Sequence, residues 1–161
     1  MPAGQSPAKN ETDYLKTLQR MYKDSRILFE KGEYYNCCYL CGYIIECALK
    51  YILLRFGRKE DGSLFSIADM KSAAHNTNNL NQQLESWINC TGGVAAKYRM
   101  DCSKMCPYIF TGRQGFPHWS PEYRYGEHPK WDDEEYCKQY VKESEKVFRF
   151  VAEIVAGGAS A

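Results

Sequence analysis

Apolar and polar positions alternate along most of this chain with a spacing of three and four residues. That spacing lays apolar side chains along one face of a helix. Tyr14, Leu18, Met21, Ser25 and Leu28 follow it and predict a helix over about Glu11 to Lys31. Gly32 suits the left-handed position just past its end. A second helix is predicted over about Glu33 to Phe56, and it is apolar nearly all round. Cys37, Cys41, Ile44, Ala48 and Ile52 lie on one side, and Cys38, Ile45, Leu49 and Leu53 widen that face. Such a helix belongs at the centre of a bundle, touching several neighbours or a second subunit. Its exception is a stripe of Tyr39, Tyr43, Glu46 and Lys50, again at three-four spacing, and Gly57 ends it.

Residues 58–78 read as a connector, with Gly62, several serines and an Asn-rich end. A short helix is predicted over about Asn79 to Ile88, broken by Thr91, Gly92 and Gly93. A lesser helix follows over about Val94 to Phe110, with Pro107 interrupting it late. Residues 111–131 hold three glycines and three prolines and predict a loop. The last helix begins near Asp132, capped by Asp132 or Asp133, with Glu134 and Glu135 at the positive end of its dipole. Tyr140, Val141, Ser144, Val147, Phe148, Val151 and Ile154 form its stripe, and Gly157 and Gly158 release a small-residue tail. No strand pair is apparent. The pattern predicts an all-α fold, an up-and-down bundle of four to five helices. Residues 1–10 are expected to be a disordered tail, 11–156 one helical domain and 157–161 a flexible tail.

Composition narrows the class. Of 161 residues, 44% are apolar and 25% charged, enough for a core and too few charges for a disordered chain. The formal net charge of +1 announces no polyanion partner for the molecule as a whole. The polar stretch from Met1 to Thr12 lacks the apolar core of a secretory signal. The longest apolar stretch, Cys41 to Leu54, carries Glu46 and Lys50, so a buried helix is expected and no membrane contact. Eight cysteines without an export signal read as reduced thiols in a cytoplasmic protein. Cys38 and Cys41 form a CxxC pair, and Cys102 and Cys106 a CxxxC pair. The first lies inside an apolar helical pattern, where cysteine acts as a small hydrophobe. No metal and no cofactor are expected.

Candidate chemistry concentrates before the last helix. Between Thr91 and Trp131, six Lys or Arg residues stand against three acids, and eight aromatic residues are interleaved. Cations hold phosphates while rings stack on bases, which is the logic of a nucleotide or single-strand site. The plainer reading is that the rings pin a long loop to the helices and the charges are solvated. Arg113 and His118 are separated by four residues, and Arg124 and His128 by three. An Arg–His pair can cleave RNA without metal, the His taking the 2′-hydroxyl proton and the Arg stabilising the phosphorane-like charge. Glu46 and Lys50 form an i,i+4 pair, worth about 0.2–0.5 kcal/mol if exposed. Alternatively Lys50 contacts phosphate at a groove edge. His75 stands before an Asn-rich run, where it reads as a helix-entry residue. Walker, GxGxxG, HExxH and GxSxG signals are absent from the sequence.

Several segments, in order, resemble the HEPN family. Leu28-Phe29-Glu30-Lys31-Gly32-Glu33-Tyr34-Tyr35 resembles its first helix and turn. Glu46-Cys47-Ala48-Leu49-Lys50 is similar to its EKALK-like second-helix motif. His75 with Leu80 and Leu84 resembles its His-Leu-Leu entry, at longer spacing. Tyr123-Arg124-Tyr125-Gly126 is similar to its RYP-type loop, with Gly for the usual Pro. The resemblance runs from about Leu15 to Val155, and the sacsin-like and nucleotidyltransferase-associated members are the nearest in type. It implies a helical bundle that dimerises through apolar helices and binds nucleotide or RNA. It implies a ligand groove near Lys50, Tyr123, Arg124, Tyr125 and His128. It also allows a nucleotidyltransferase-type partner protein.

Three functional readings follow. The first is a dimeric nucleotide- or RNA-binding domain without strong catalysis. The second is a metal-independent ribonuclease, a toxin or defence effector, using Arg113, His118, Arg124 and His128. The third is a helical module that only assembles with other proteins.

Overall fold

Asn10 opens the first helix, α1 (Glu11–Glu30), through a capping box: its side chain accepts from the Asp13 backbone N–H, and the Asp13 carboxylate accepts from the Asn10 N–H. These are the first residues of a computed structural model that describes residues 10–158. The expected disordered tail therefore falls, save for Asn10, outside the described residues, as do 159–161 of the expected C-terminal tail. Gly32, at φ 77°, turns the chain straight into α2 (Tyr34–Phe56), so α1 and α2 form a helical hairpin.

The second helix is the centre of the fold. It packs against α1, against α4 (Thr77–Cys90) and against the C-terminal α6 (Glu134–Gly158). From Cys37 to Leu53 all its residues are buried except Tyr39, Leu40 and Tyr43, which are partly so. Each fully buried Leu or Ile contributes on the order of 1.5–3 kcal/mol of burial. By length and composition α2 would pass for a membrane span, yet 78% of its most apolar window is buried among the other helices. Cys38 and Cys41 are wholly buried inside this core, as are Cys102 and Cys106, and they fill space between larger side chains.

The all-α fold is as expected, with differences in the middle of the chain. The expected connector over 58–78 holds a further helix, α3 (Ile67–Ala73). A Ser66–Asp69 capping box starts it, a signal hidden among the serines and acids of a polar stretch. The helix α4 starts at Thr77 because Asn76, through its side chain, caps it. The lesser helix expected over 94–110 is broken into a 3₁₀ turn (Ala96–Tyr98), a single turn α5 (Cys102–Met105) and a π turn (Pro107–Thr111). Pro107 lacks the N–H a continuous helix needs. Glu143 of α6 instead accepts from the N–H groups of Tyr108 (2.5 Å) and Ile109 (3.3 Å). Residues 111–131 form the expected loop, with one short 3₁₀ turn (Pro121–Arg124). The last helix runs on through Gly158, past the expected end of the helical domain at residue 156.

That loop is fastened to α2 at two points. Trp119 lies flat on Gly42, and its indole N–H donates to the Tyr39 carbonyl at 3.0 Å. A Cβ on residue 42 would come within 2.0 Å of the indole ring, so only glycine admits this approach. The second fastening is the Tyr35 hydroxyl. It lies 2.7 Å from the Tyr123 carbonyl and 2.6 Å from that of Gly126, and it accepts from the His128 N–H at 3.0 Å. Behind it Trp131 is fully buried, with its indole N–H donating to the Tyr140 hydroxyl at 3.1 Å.

Replacing Gly42 by Ala is expected to destabilise the domain by about 1–3 kcal/mol, since ring and methyl compete for one space. Urea unfolding followed by tryptophan fluorescence measures this. A change under about 0.5 kcal/mol would contradict the seating of Trp119.

Candidate functional site

Both fastenings hold the 3₁₀ turn carrying Arg124 over the outer face of α2. A shallow groove of about 380–470 Å³ is found at several places on the molecule, and the one at this face measures about 470 Å³. Met21 of α1, Tyr35, Asn36, Tyr39 and Tyr43 of α2, and Arg124 line it. The Tyr39 and Tyr43 hydroxyls share a hydrogen bond of 2.9 Å, and their rings meet edge to face at 5.1 Å. Burial and the Tyr39 hydroxyl push the Tyr43 phenol above its ordinary range, and Arg124 pulls it back down. Arg124 is exposed, its guanidinium 5.6 Å from the Tyr125 ring centroid, and Tyr125 is 87% exposed. An exposed cation beside a bank of tyrosine hydroxyls suits a phosphate, and an exposed aromatic ring next to it suits a base.

Next along the polar stripe of α2 stands Glu46. It is 4% exposed, and Lys50, at 5%, donates to it at 2.8 Å. His75, at the turn between α3 and α4, sets Nδ1 2.9 Å and 3.1 Å from the two carboxylate oxygens. This bond, and to a lesser degree the Glu46 charge, raises the imidazole above its ordinary value of 6.5, against partial burial. His75 is therefore more than a helix-entry residue, and Asn76 does the capping.

Two residues expected to face ligand are turned inward. Lys50 is buried against Glu46, with its ammonium 5.5 Å from the Tyr14 ring centroid, and does not reach a groove edge. His128 is 3% exposed and stacks on Trp131 at 5.0 Å and 11°. Its Nδ1 accepts from the Lys130 N–H at 3.1 Å, so Nε2 carries the proton and donates to the Pro117 carbonyl at 2.8 Å. Burial holds its pKa below 6.5. Both ring nitrogens are thus occupied in holding the loop. Tyr123 is half-buried, edge-on to His128 and Trp131, and serves the groove through its position. Arg113 and His118 are exposed on the loop. Arg113 acts electrostatically on Glu143 of α6, whereas Arg124 acts on Tyr43 of α2.

The three-four stripe on α2 carried the signal for this site, since it marked Tyr39, Tyr43 and Glu46 as exceptions on an apolar helix. Tyr35, Asn36 and the Glu46–His75 bond were not legible. They depend on where the loop and the α3–α4 turn cross α2. The buried carboxyl of Glu143, pushed by burial up to about 7, is another residue the sequence did not single out. Among the described residues no cluster of three His, Cys, Asp or Glu side chains has metal-binding geometry.

A family model, HEPN domain, matches residues 13–155. The chain belongs to the HEPN family. No curated protein and no solved structure matches it. A HEPN domain carries a general relation to nucleotides or RNA, and the all-α bundle around α2 is its fold.

His128→Ala is expected to lower stability by about 2 kcal/mol, from the lost ring stacking and the lost hydrogen bonds. His118→Ala, on the exposed loop, is expected to stay within about 0.5 kcal/mol. The imidazole of His128, followed by NMR, titrates below 6.5. Its depressed pKa makes stability rise with pH between the folded value and 6.5, where the unfolded chain holds the extra proton. Equal effects of the two substitutions on stability would remove the structural role given to His128.

Proposed function

We propose that this HEPN domain binds nucleotide or RNA in the groove between Arg124 and the tyrosine stripe of α2, as a homodimer and without strong catalysis. The observation that carries the reading is Arg124. It is an exposed guanidinium held by the loop over three tyrosines, with the open ring of Tyr125 at its side. In this reading Arg124 takes a phosphate, the Tyr39 and Tyr43 hydroxyls donate to its oxygens or to the sugar, and Tyr125 stacks on a base. Tyr123 and His128 act from behind, by fixing the turn. The eight free cysteines suit a reducing, cytoplasmic setting. A nucleotidyltransferase-type protein is the partner class this reading entertains.

For a metal-independent ribonuclease drawn from Arg113, His118, Arg124 and His128, the pair of Arg124 and His128 finds less support. A general base needs a free nitrogen, and both nitrogens of His128 are engaged.

Fluorescence titration with nucleotides and a short RNA, over a salt series, tests the binding. Arg124→Ala is expected to weaken it about tenfold, the scale of one charge-assisted hydrogen bond, and to flatten the salt dependence. Affinity unchanged by Arg124→Ala would reject the groove. Light scattering is expected to give twice the monomer mass, and a strict monomer would reject the homodimer.

A further inference from the structure

Ala74 ends α3 with φ 50° and ψ −120°, one of two non-glycine residues with positive φ among those described. Strain of this kind persists where the surroundings over-determine the backbone, and it gathers at functional positions. Here it immediately precedes His75. The Glu46 carboxylate can only accept, so Nδ1 of His75 carries a proton toward it and the ring orientation is fixed. Glu46 already has Lys50 as a buried counter-ion at 2.8 Å. A second partner that is itself half in solvent adds little to neutralising it. The imidazole side chain is 50% exposed, and Nε2 has no hydrogen-bond partner among the described residues. The pair thus looks outward: a buried carboxylate orients a solvent-facing ring.

That ring adjoins the groove. Its edge meets Tyr43 at 5.5 Å between centroids, and Tyr43 is also a wall of the groove below Arg124. Along this face of α2 the order is Arg124 beside Tyr39 and Tyr43, then His75 beside Tyr43 and Glu46. From Tyr39 to Glu46 the helix advances about 10 Å at its standard rise.

We propose that His75 is a second phosphate contact on this surface, so that the ligand it fits is a single-stranded oligonucleotide with successive phosphates on Arg124 and on Nε2 of His75. The inference rests on the reading of the Arg124 groove as a nucleotide or RNA site. Protonated His75 is the form that holds phosphate. The hydrogen bond to Glu46 favours it, partial burial opposes it, and the Lys50 charge opposes it further. Tyr43 of α2 is the other titratable group against the ring, and Tyr14 of α1 lies over the Lys50 ammonium.

The test is fluorescence anisotropy with a labelled oligouridylate and the matching oligodeoxythymidylate, alongside uridine monophosphate by calorimetry. Measurements run from about pH 5.5 to about pH 8.5, the span over which a histidine changes charge, at fixed ionic strength. Wild-type affinity for at least one oligomer is expected to fall about fivefold across that range, the scale of one half-exposed charged contact. The ribose and deoxyribose arms tell which strand is preferred. His75→Gln is expected to abolish the pH dependence and to match wild type at high pH, while leaving the mononucleotide affinity unchanged. The wild-type His75 resonance is expected to titrate at higher pH once the oligomer is bound, and this reading stands even where His75→Gln does not fold. Oligomer binding that needs Arg124 but keeps its pH dependence in His75→Gln overturns the second contact and leaves the groove intact. An unmoved His75 titration does the same. Failure of oligomer and mononucleotide alike to bind overturns both readings.

Discussion

The contact on which the rest depends is the indole of Trp119 lying on the bare backbone of Gly42. A helix exposes little of its own backbone in mid-course, because each residue's side chain covers it. Glycine at position 42 opens a window in α2, and Trp119 closes it, with its N–H on the Tyr39 carbonyl. A loop rich in Gly and Pro has no ladder of its own to fix its path. This one takes its path from α2 instead. From Trp119 the chain reaches the Tyr35 hydroxyl within a few residues, and between these two anchors stands Arg124. The position of the exposed cation is therefore set by two aromatic contacts to the most buried helix in the molecule.

The two readings of the ring-rich loop, pinning and binding, describe different residues of the same segment. Trp119, seated on Gly42 and Tyr43, is one pin, and Tyr123, His128 and Trp131 are the others, interlocked with Tyr35, Tyr136 and Tyr140. Arg124 and Tyr125 are left outside, exposed on a turn that cannot wander. A binding group gains from such stiffness, since less freedom is lost when ligand arrives. On α2 the same division appears. Lys50 and Glu46 face the interior, while Tyr39 and Tyr43 are partly open.

Much of the fold was legible because helices advertise their buried faces locally. The periodicity of α1, α2 and α6 placed those helices to within a few residues, and the breakers between 111 and 131 placed the loop. What periodicity does not encode is capping in a polar stretch, so α3 went unseen behind Ser66 and Asp69. Nor does it encode a helix interrupted by side chains from elsewhere. Glu143, some 35 residues downstream, takes up the amides near Pro107 and so makes a π turn out of an expected helix. The site divides in the same way. Arg124 and Tyr125 were legible from composition and motif. The inward turn of Lys50 and His128 was not, because burial depends on which elements close over a residue. The bond between His75 and Glu46 joins residues 29 apart in sequence and is a property of the turn at Ala74.

The central place of α2 also bears on how the domain is made. A segment as long and apolar as Tyr34–Phe56 is synthesised after α1 and before α4 and α6, the other helices that cover it. Its flank against α6 stays bare until residues beyond 134 have been synthesised. Throughout that interval the unfinished chain exposes apolar surface, the condition in which aggregation competes with folding. Glu46 and Lys50, set in the middle of the segment, mark it as a poor membrane span during this exposure. Two charges in the middle of an otherwise apolar segment count against a bilayer before the core closes as well as after.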